Sequence, residues 1–533
     1  MKAPGLRPLP KLQSFSHTSS RLSQTRTQRG QHMYAAIQSA TLFGTCGTPI
    51  TVEAHVGKGL PGFTVVGLPD EGCRESRDRV RAALLSSGFE WPLRRITINL
   101  AGGGERKGGA GMDLAIAVGL LVAEGTVPAE AVKRCAFIAE LGLDGSLRPT
   151  AGMAPLVDAV SQYEVVVATS AAAESMLARP SRLRPVSSLA ELVEVLVHGT
   201  PWPIVTAPIA HVVVDAIADM ADVRGQSSAR LALEVAASGF HHMLMMGPPG
   251  AGKSMLARRL PGLLPRLTED EAFTCAMVRS AAGMQVSSAI ASSPPFRSPH
   301  HNISMAAMVG GGSPHIRPGE LSLASNGVLF LDEMGEFPPT VLDSLRQPLE
   351  EGVVNISRAH SSVTMPARCL LVAATNPCPC GETSPLGCMC QLSIRQRYVR
   401  RFSGPLIDRF DIRIKLVKPS TAELTGGTAG ESSVVIAERV ARVHQLSIQR
   451  QGCLNSAIPA DLLDDVAPLS RDAMSWLRDR LDEGRLSGRG YHRVRRVART
   501  VADMNGADEV IGTEWVEAAF GMRVPITPTV ERH

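Results

Sequence analysis

At 533 residues the chain exceeds what one hydrophobic core can organise, which sets a prior of about three or four domains. Ten cysteines, six isolated and four in one short segment, exclude a secreted disulfide scaffold and suit a reducing cytosol. The net charge of +5 is too small to demonstrate a nucleic-acid partner, and the apolar run Leu114 to Ala123 falls short of the ~18 residues a spanning helix needs. A soluble, cytoplasmic chain with no membrane contact is therefore predicted.

In chain order, residues 1–32 carry Lys2, Arg7, Lys11, Arg21, Arg26 and Arg29 without Asp or Glu, among many Ser, Thr and Gln, and are expected to form a disordered basic tail. The tail is like an organelle transit peptide in composition but lacks an amphipathic face. Patterned sequence begins at Met33, so a translation start set too early is the favoured explanation. Over 33–200, strand-like runs (ITVEAHV, FTVVGL, RRITINL, EVVVAT) alternate with helical ones (RDRVRAALLSSG, MDLAIAVGLLVAEG, PLVDAVSQY), which predicts an α/β domain. Prolines between Thr200 and Asp215 mark a linker over 201–218. A second α/β block spans 219–420, a glycine-rich flexible connection 421–433, a helical segment 434–522 and a tail 523–533.

The second block holds the most specific chemistry. Gly247, Pro248, Pro249, Gly250, Ala251, Gly252, Lys253 and Ser254, followed by Met255, fit G-x-x-x-x-G-K-[ST] between an apolar strand and a helical run. In that setting backbone amides wrap the phosphates of a nucleotide, Lys253 reaches the outer phosphates and Ser254 offers a magnesium ligand. Further on, GVLFLDE ends an apolar strand in two carboxylates, Asp332 to hold Mg2+ and Glu333 to polarise an attacking water. ATP and Mg2+ are the cofactors this pair predicts. Asn376 ends another apolar run, CLLVAAT, where it can hold the water; before Pro377 it could also simply form a turn. Four cysteines follow, Cys378, Cys380, Cys388 and Cys390, whose two C-x-C pairs can supply four thiolates to a structural Zn2+.

The order of these motifs resembles the AAA+ superfamily, whose rings complete each site with an arginine from the adjoining subunit. That resemblance points to Arg409 in SGPLIDRFDIRIKL, and implies a homo-oligomer, a hexamer by analogy. It also implies a lid arginine on the nucleotide. In LSGRGYHRVRRVARTVADM, Arg489 is the first choice and Arg493 the second, with Arg489, Arg493 and Arg496 on one helix side and the other arginines left for a partner or anionic substrate.

FRSPHHNISMAAMVGGGSPHIRPGELSLASNGVLFLDE is similar to the magnesium-chelatase-like branch, and residues 33 to about 522 resemble its ComM/YifB subfamily, with ESRDRVRAALLSSGFEWPLRRITINLA, ELGLDGSLRPTAGMAP, RFSGPLIDRFDI and GYHRVRRVARTVAD all fitting. The fold implied is α/β and multidomain: a Lon-protease-like N-terminal domain, an AAA+ P-loop core with a parallel sheet, and a C-terminal helical lid. The Lon-like domain has no serine between Gly102 and Val122, so a docking or structural role is expected there. The resemblance also places an insert around Phe296 to Pro318 and a hairpin, VVNISR and SSVTMPA joined at Ala359 and His360, in the ring pore. Arg297, His300, His301, Arg317, Arg358 and His360 are then candidates to contact DNA. The implied activity is an ATP-driven helicase or branch-migration motor on forked or branched DNA, in homologous recombination and DNA uptake. The alternative is a chaperone-like motor for protein remodelling or a metal chelatase.

Overall fold

The computed structural model describes residues 33–102, 107–203, 218–286, 292–312, 316–358, 361–381, 389–391, 393–394, 397–398, 402, 404–426, 430–507 and 509–525. The N-terminal part is a seven-stranded sheet. Its strands are β1 (Tyr34–Phe43), β2 (Cys46–Gly57), β3 (Gly62–Val66), β4 (Arg95–Ala101), β5 (Cys135–Ile138), β6 (Glu164–Ala168) and β7 (Arg182–Val186), in the order β3-β4-β2-β1-β5-β6-β7. The helix Asp113–Ala123 packs on it with every residue buried, as its uninterrupted apolar sequence requires. Gly119 allows the approach, since a Cβ there would lie 3.1 Å from the Ala54 methyl. Buried Asp113 accepts from Ser76 Oγ and from Arg79 Nε, the latter at 2.6 Å, so its charge is paired as burial demands.

The second part contains α1 (Ser227–Gly239), β8 (Met243–Met246), α2 (Lys253–Ala257), α3 (Glu269–Ala281), β9 (Phe296–Arg297), β10 (Val328–Leu331), α4 (Arg346–Glu351), β11 (Val353–Arg358), β12 (Ser361–Pro366), β13 (Leu370–Thr375) and β14 (Ile412–Lys415). Five of these strands form a parallel sheet in the order β9-β10-β13-β8-β14. MLMM, VLFL and LLVAAT are buried along their whole length, as strands covered on both faces must be. The pleat sorts them: Met243, Met245, Val328, Phe330, Val372 and Ile412 enter one core, and Leu244, Met246, Leu329, Leu331 and Leu371 the other.

The first face is covered by α1 and by the helices α5 (Ser433–Gln451), α6 (Arg471–Asp482), α7 (Gly488–Met504) and α8 (Thr513–Gly521). Ser487 caps α7 by accepting from Gly490 N at 3.1 Å. Beneath the second face lies the antiparallel hairpin β11–β12, whose Val354, Val363 and Met365 join that core. The hairpin matches the strand pattern of the sequence; its turn, Ala359 and His360, lies outside the described residues. The N-terminal part packs on the second through α3, where Ser280 Oγ accepts from Ala154 N at 3.2 Å and donates to Glu174.

Residues 201–203 begin the proline-rich linker, whose stretch 204–217 is outside the described residues. The glycine-rich connection departs from expectation at its start, because Thr421–Gly426 is helical. Ser420 and Glu423 explain this: Ser420 Oγ accepts from Glu423 N at 3.2 Å while the Glu423 carboxylate accepts from Ser420 N at 2.7 Å, a reciprocal capping box.

Candidate functional site

A parallel sheet offers its ligand site beyond the carboxyl ends of its strands. There β8 runs into Gly247, β13 into Asn376 and β10 into Asp332 and Glu333, side by side because β13 lies between β8 and β10. Gly250 and Gly252 take φ of 78° and 86°, a region glycine adopts without steric cost, and so turn the chain tightly into α2. A Cβ on Gly247 would come within 2.7 Å of the Leu416 carbonyl, so the loop can lie against β14 only with glycine there.

Lys253 Nζ donates to the carbonyls of Gly247 (2.6 Å) and Pro248 (2.9 Å) and to Asn376 Oδ1 (3.0 Å). Burial lowers its pKa, opposed by Asp332 and Glu333. Ser254 Oγ donates to Asp332 Oδ2 at 2.6 Å. Hydroxyl and carboxylate oxygens side by side are the donor set that suits Mg2+. Glu333, left-handed at φ 50° and ψ 46°, sends its backbone N–H to Asp332 Oδ1 at 2.9 Å. Its carboxylate lies 3.6 Å from His301 Nδ1, and the His301 ring contacts the rings of His300 and Phe337. Thr375, just before Asn376, bonds the Tyr398 hydroxyl at 3.0 Å.

Arg409 lies at the other end of the sheet. In register, Met243 pairs with Ile412 and Met246 with Lys415. Arg409 therefore precedes the amino end of β14, whereas the phosphate loop follows the carboxyl end of β8, about 13 Å of strand away. Its guanidinium is in close contact with Glu350. Burial lowers the Arg409 pKa; Glu350 opposes this, and Arg493, Arg489 and Arg346 add to it. Behind it is a buried network. Arg493 donates to the Arg409 carbonyl at 3.0 Å and ion-pairs with Asp411, and His241 joins Asp411 (3.2 Å) to Thr500 (2.7 Å). Those contacts hold the Asp411 carboxyl well below the usual range despite burial.

The structure thus brings Lys253, Ser254, Asp332, Glu333 and Asn376 together, but not Arg489. Exposed Arg489 starts α7 beside Arg409, at the amino edge. Its neighbours on the helix are spent internally. Arg495 bonds Asp464 and the Leu463 and Ala467 carbonyls, Arg496 the Ile458 carbonyl, and Arg499 Asp503 and the Glu509 carbonyl. The expectation that Arg495 and Arg499 meet a partner or substrate is corrected accordingly. Arg297 is likewise committed, in a two-pronged pair with Glu320 at 2.6 and 2.7 Å, and His301 faces Glu333. Arg317 is exposed; the Arg358 side chain and His360 lie outside the described residues.

Cys378, Cys380 and Cys390 place their sulfur atoms within 4.8 Å of one another, a soft donor set that fits Zn2+; Cys388 lies outside the described residues. Gly381 beside them packs on the phosphate loop, a Cβ there falling 2.7 Å from Pro249. Glu350 and Asp411 carry no sequence signal of their own, and His301, expected in the pore insert as a DNA contact, faces Glu333.

Family models described as magnesium chelatase, subunit ChlI, subunit ChlI of Mg-chelatase, and magnesium chelatase subunit ChlI C-terminal match residues 219–424, 52–170 and 430–523. With the five-stranded parallel sheet and the phosphate loop, they define a magnesium-chelatase-like AAA+ protein, a class of ATP- and Mg2+-using motors. The competence protein ComM of Haemophilus influenzae is 39% identical over 498 residues, 91% of this chain and 96% of that protein. The uncharacterized protein YifB of Escherichia coli is 38% identical over 496 residues, 91% and 96% respectively. A probable DNA helicase MCM9 of Oryza sativa is 26% identical over 176 residues, 33% of this chain and 21% of that protein. The chain belongs to the ComM/YifB subfamily of magnesium-chelatase-like AAA+ ATPases. No helix among the described residues is long and apolar enough to cross a membrane.

Proposed function

We propose that the protein is a ring-forming cytoplasmic ATPase, a hexamer, that moves DNA through its pore and drives branch migration or unwinding in homologous recombination and DNA uptake. The observation that carries the ring is the placement of Lys253, Asn376, Ser254, Asp332 and Glu333 at one edge of the sheet and Arg409 at the other. Lys253 binds the outer phosphates, Ser254 and Asp332 would hold Mg2+, and Glu333 draws the proton from a water that Asn376 orients. When bound, Mg2+ supplies a Lewis acid that offsets phosphate charge. Arg409 and, beside it, Arg489 serve the site of the adjoining copy, since both lie on the edge remote from their own phosphate loop. The domains follow the sequence boundaries, with a Lon-like N-terminal domain and helices 434–522 as the lid. Cys378, Cys380 and Cys390 would hold a Zn2+ that would stiffen the loop running from Asn376 to Gly381, which packs on Pro249.

DNA as the substrate rests on the relatives, one named a competence protein and one a probable DNA helicase, together with exposed Arg317 in the insert. The test is ATPase activity with and without duplex, forked and junction DNA. Stimulation by forked or junction DNA with salt-dependent binding is expected; indifference to every DNA would refute it. The three chelatase-named family matches favour a second reading, a motor for protein remodelling or metal insertion, which that indifference would support.

A further inference from the structure

Arg409 is oddly placed for a group that must reach a neighbour. Its side chain is only 9% exposed, and its Nε has no hydrogen-bond partner among the described residues. A buried donor left unpaired is costly, which marks this as a position the guanidinium can leave. Around it stand three more arginines, Arg346, Arg489 and Arg493. Arg493 is held by Asp411, so the anion facing Arg409 itself is the Glu350 carboxylate. Glu350 is 53% exposed and sits in the last turn of α4, free to move aside. A single carboxylate against a cluster of guanidiniums occupies the place of a more highly charged anion, and a nucleoside triphosphate is one.

We propose that Glu350 is a positioning residue that stows Arg409 within its own subunit and yields it to the terminal phosphate of ATP bound by the adjoining copy. This rests on Arg409 acting between copies. Nucleotide binding at the interface then competes with the Glu350 pair, and the apparent affinity is reduced by the fraction of Arg409 that is stowed.

The test is equilibrium binding of a fluorescent non-hydrolysable ATP analogue to the full-length assembled protein, alongside steady-state ATPase. Glu350→Gln keeps the shape and removes the charge. It is expected to tighten binding and lower KM together by about 3- to 10-fold, with a much smaller change in kcat. Glu350→Asp is expected to stay near the wild type. In an Arg409→Ala background Glu350→Gln should change nothing, because the two residues act as one unit. Wild-type binding by Glu350→Gln, or equal tightening without Arg409, would overturn the proposal. Normal turnover by Arg409→Ala alone would instead remove the interface role on which it rests.

Discussion

Glu333 occupies a left-handed backbone conformation that a non-glycine residue rarely adopts, and such positions concentrate where a side chain must be aimed. Asp332 stabilises it by taking the Glu333 N–H, and His301 meets its carboxylate. Glu333→Gln keeps the aim and loses the base, so nucleotide should still bind while turnover falls by two or more orders of magnitude in a phosphate-release assay. Lys253→Ala should lose binding itself. A second residue gives a pH dependence. Burial lowers His242 to about 4, and its neutral ring accepts the Leu371 N–H at 3.1 Å. An unfolded histidine ionises near pH 6.5, so the unfolded chain takes up more protons between about 6.5 and 4. That contribution is complete above pH 6.5 and disappears as the pH falls toward 4, on the order of 3 kcal/mol in all. The thermal midpoint should therefore drop from pH 7.5 to 5, and His242→Gln, which keeps an acceptor, should flatten the drop. The sequence announced Lys253 through the glycine loop it closes, and Asp332 and Asn376 because each ends an apolar run at a motif position. Glu350 was silent and His301 was marked only as a pore residue for DNA, since each acquires its contact from a residue distant in the chain.

Among elements, α4 and the hairpin are joined through adjacent residues. Glu350 holds Arg409, while Glu351 accepts from Asn355 Nδ2 at 3.2 Å, and Asn355 in turn accepts from Thr364 Oγ1 at 2.8 Å on the second strand. One helical turn thus touches Arg409 and, through Asn355, both strands of the hairpin. Glu351→Ala should leave basal ATPase within about twofold, an exposed polar change being mild, yet reduce stimulation by forked DNA; unchanged stimulation would separate the hairpin from the site. The cysteine loop couples Asn376 to Pro249 in the same way. Dialysis against a chelator should remove one zinc by elemental analysis and lower the thermal midpoint by several degrees; a metal-free protein of unchanged stability would end the zinc assignment. The alternating runs of residues 33–200 showed where most strands and helices fall. They did not show β1, whose YAAIQSATLF mixes small, polar and large residues without a clear apolar run and becomes a strand only between β2 and β5. Nor did the arginines of α7 reveal that most of them satisfy carbonyls and carboxylates inside the helical layer, because charge spacing alone cannot distinguish a buried partner from a free face.

For the whole molecule, the phosphate loop with Asp332, Glu333 and Asn376 follows the carboxyl ends of the strands and Arg409 precedes the amino end of β14, and on the proposed reading these are two halves of a site completed between copies. Head-to-tail contact brings the halves together and, if the rotation closes, makes a ring. Arg409→Ala should lower turnover by about 10³-fold or more while nucleotide still binds, though more weakly. The decisive measurement is ATPase activity of a mixture of Lys253→Ala and Arg409→Ala proteins, each inactive alone. In a random mixed ring roughly a quarter of the interfaces pair an intact phosphate loop with an intact arginine, so activity should reappear on mixing and grow with the proportion of such interfaces. A mixture as inactive as its components, or an Arg409→Ala protein that hydrolyses ATP normally by itself, would contradict a site shared between copies.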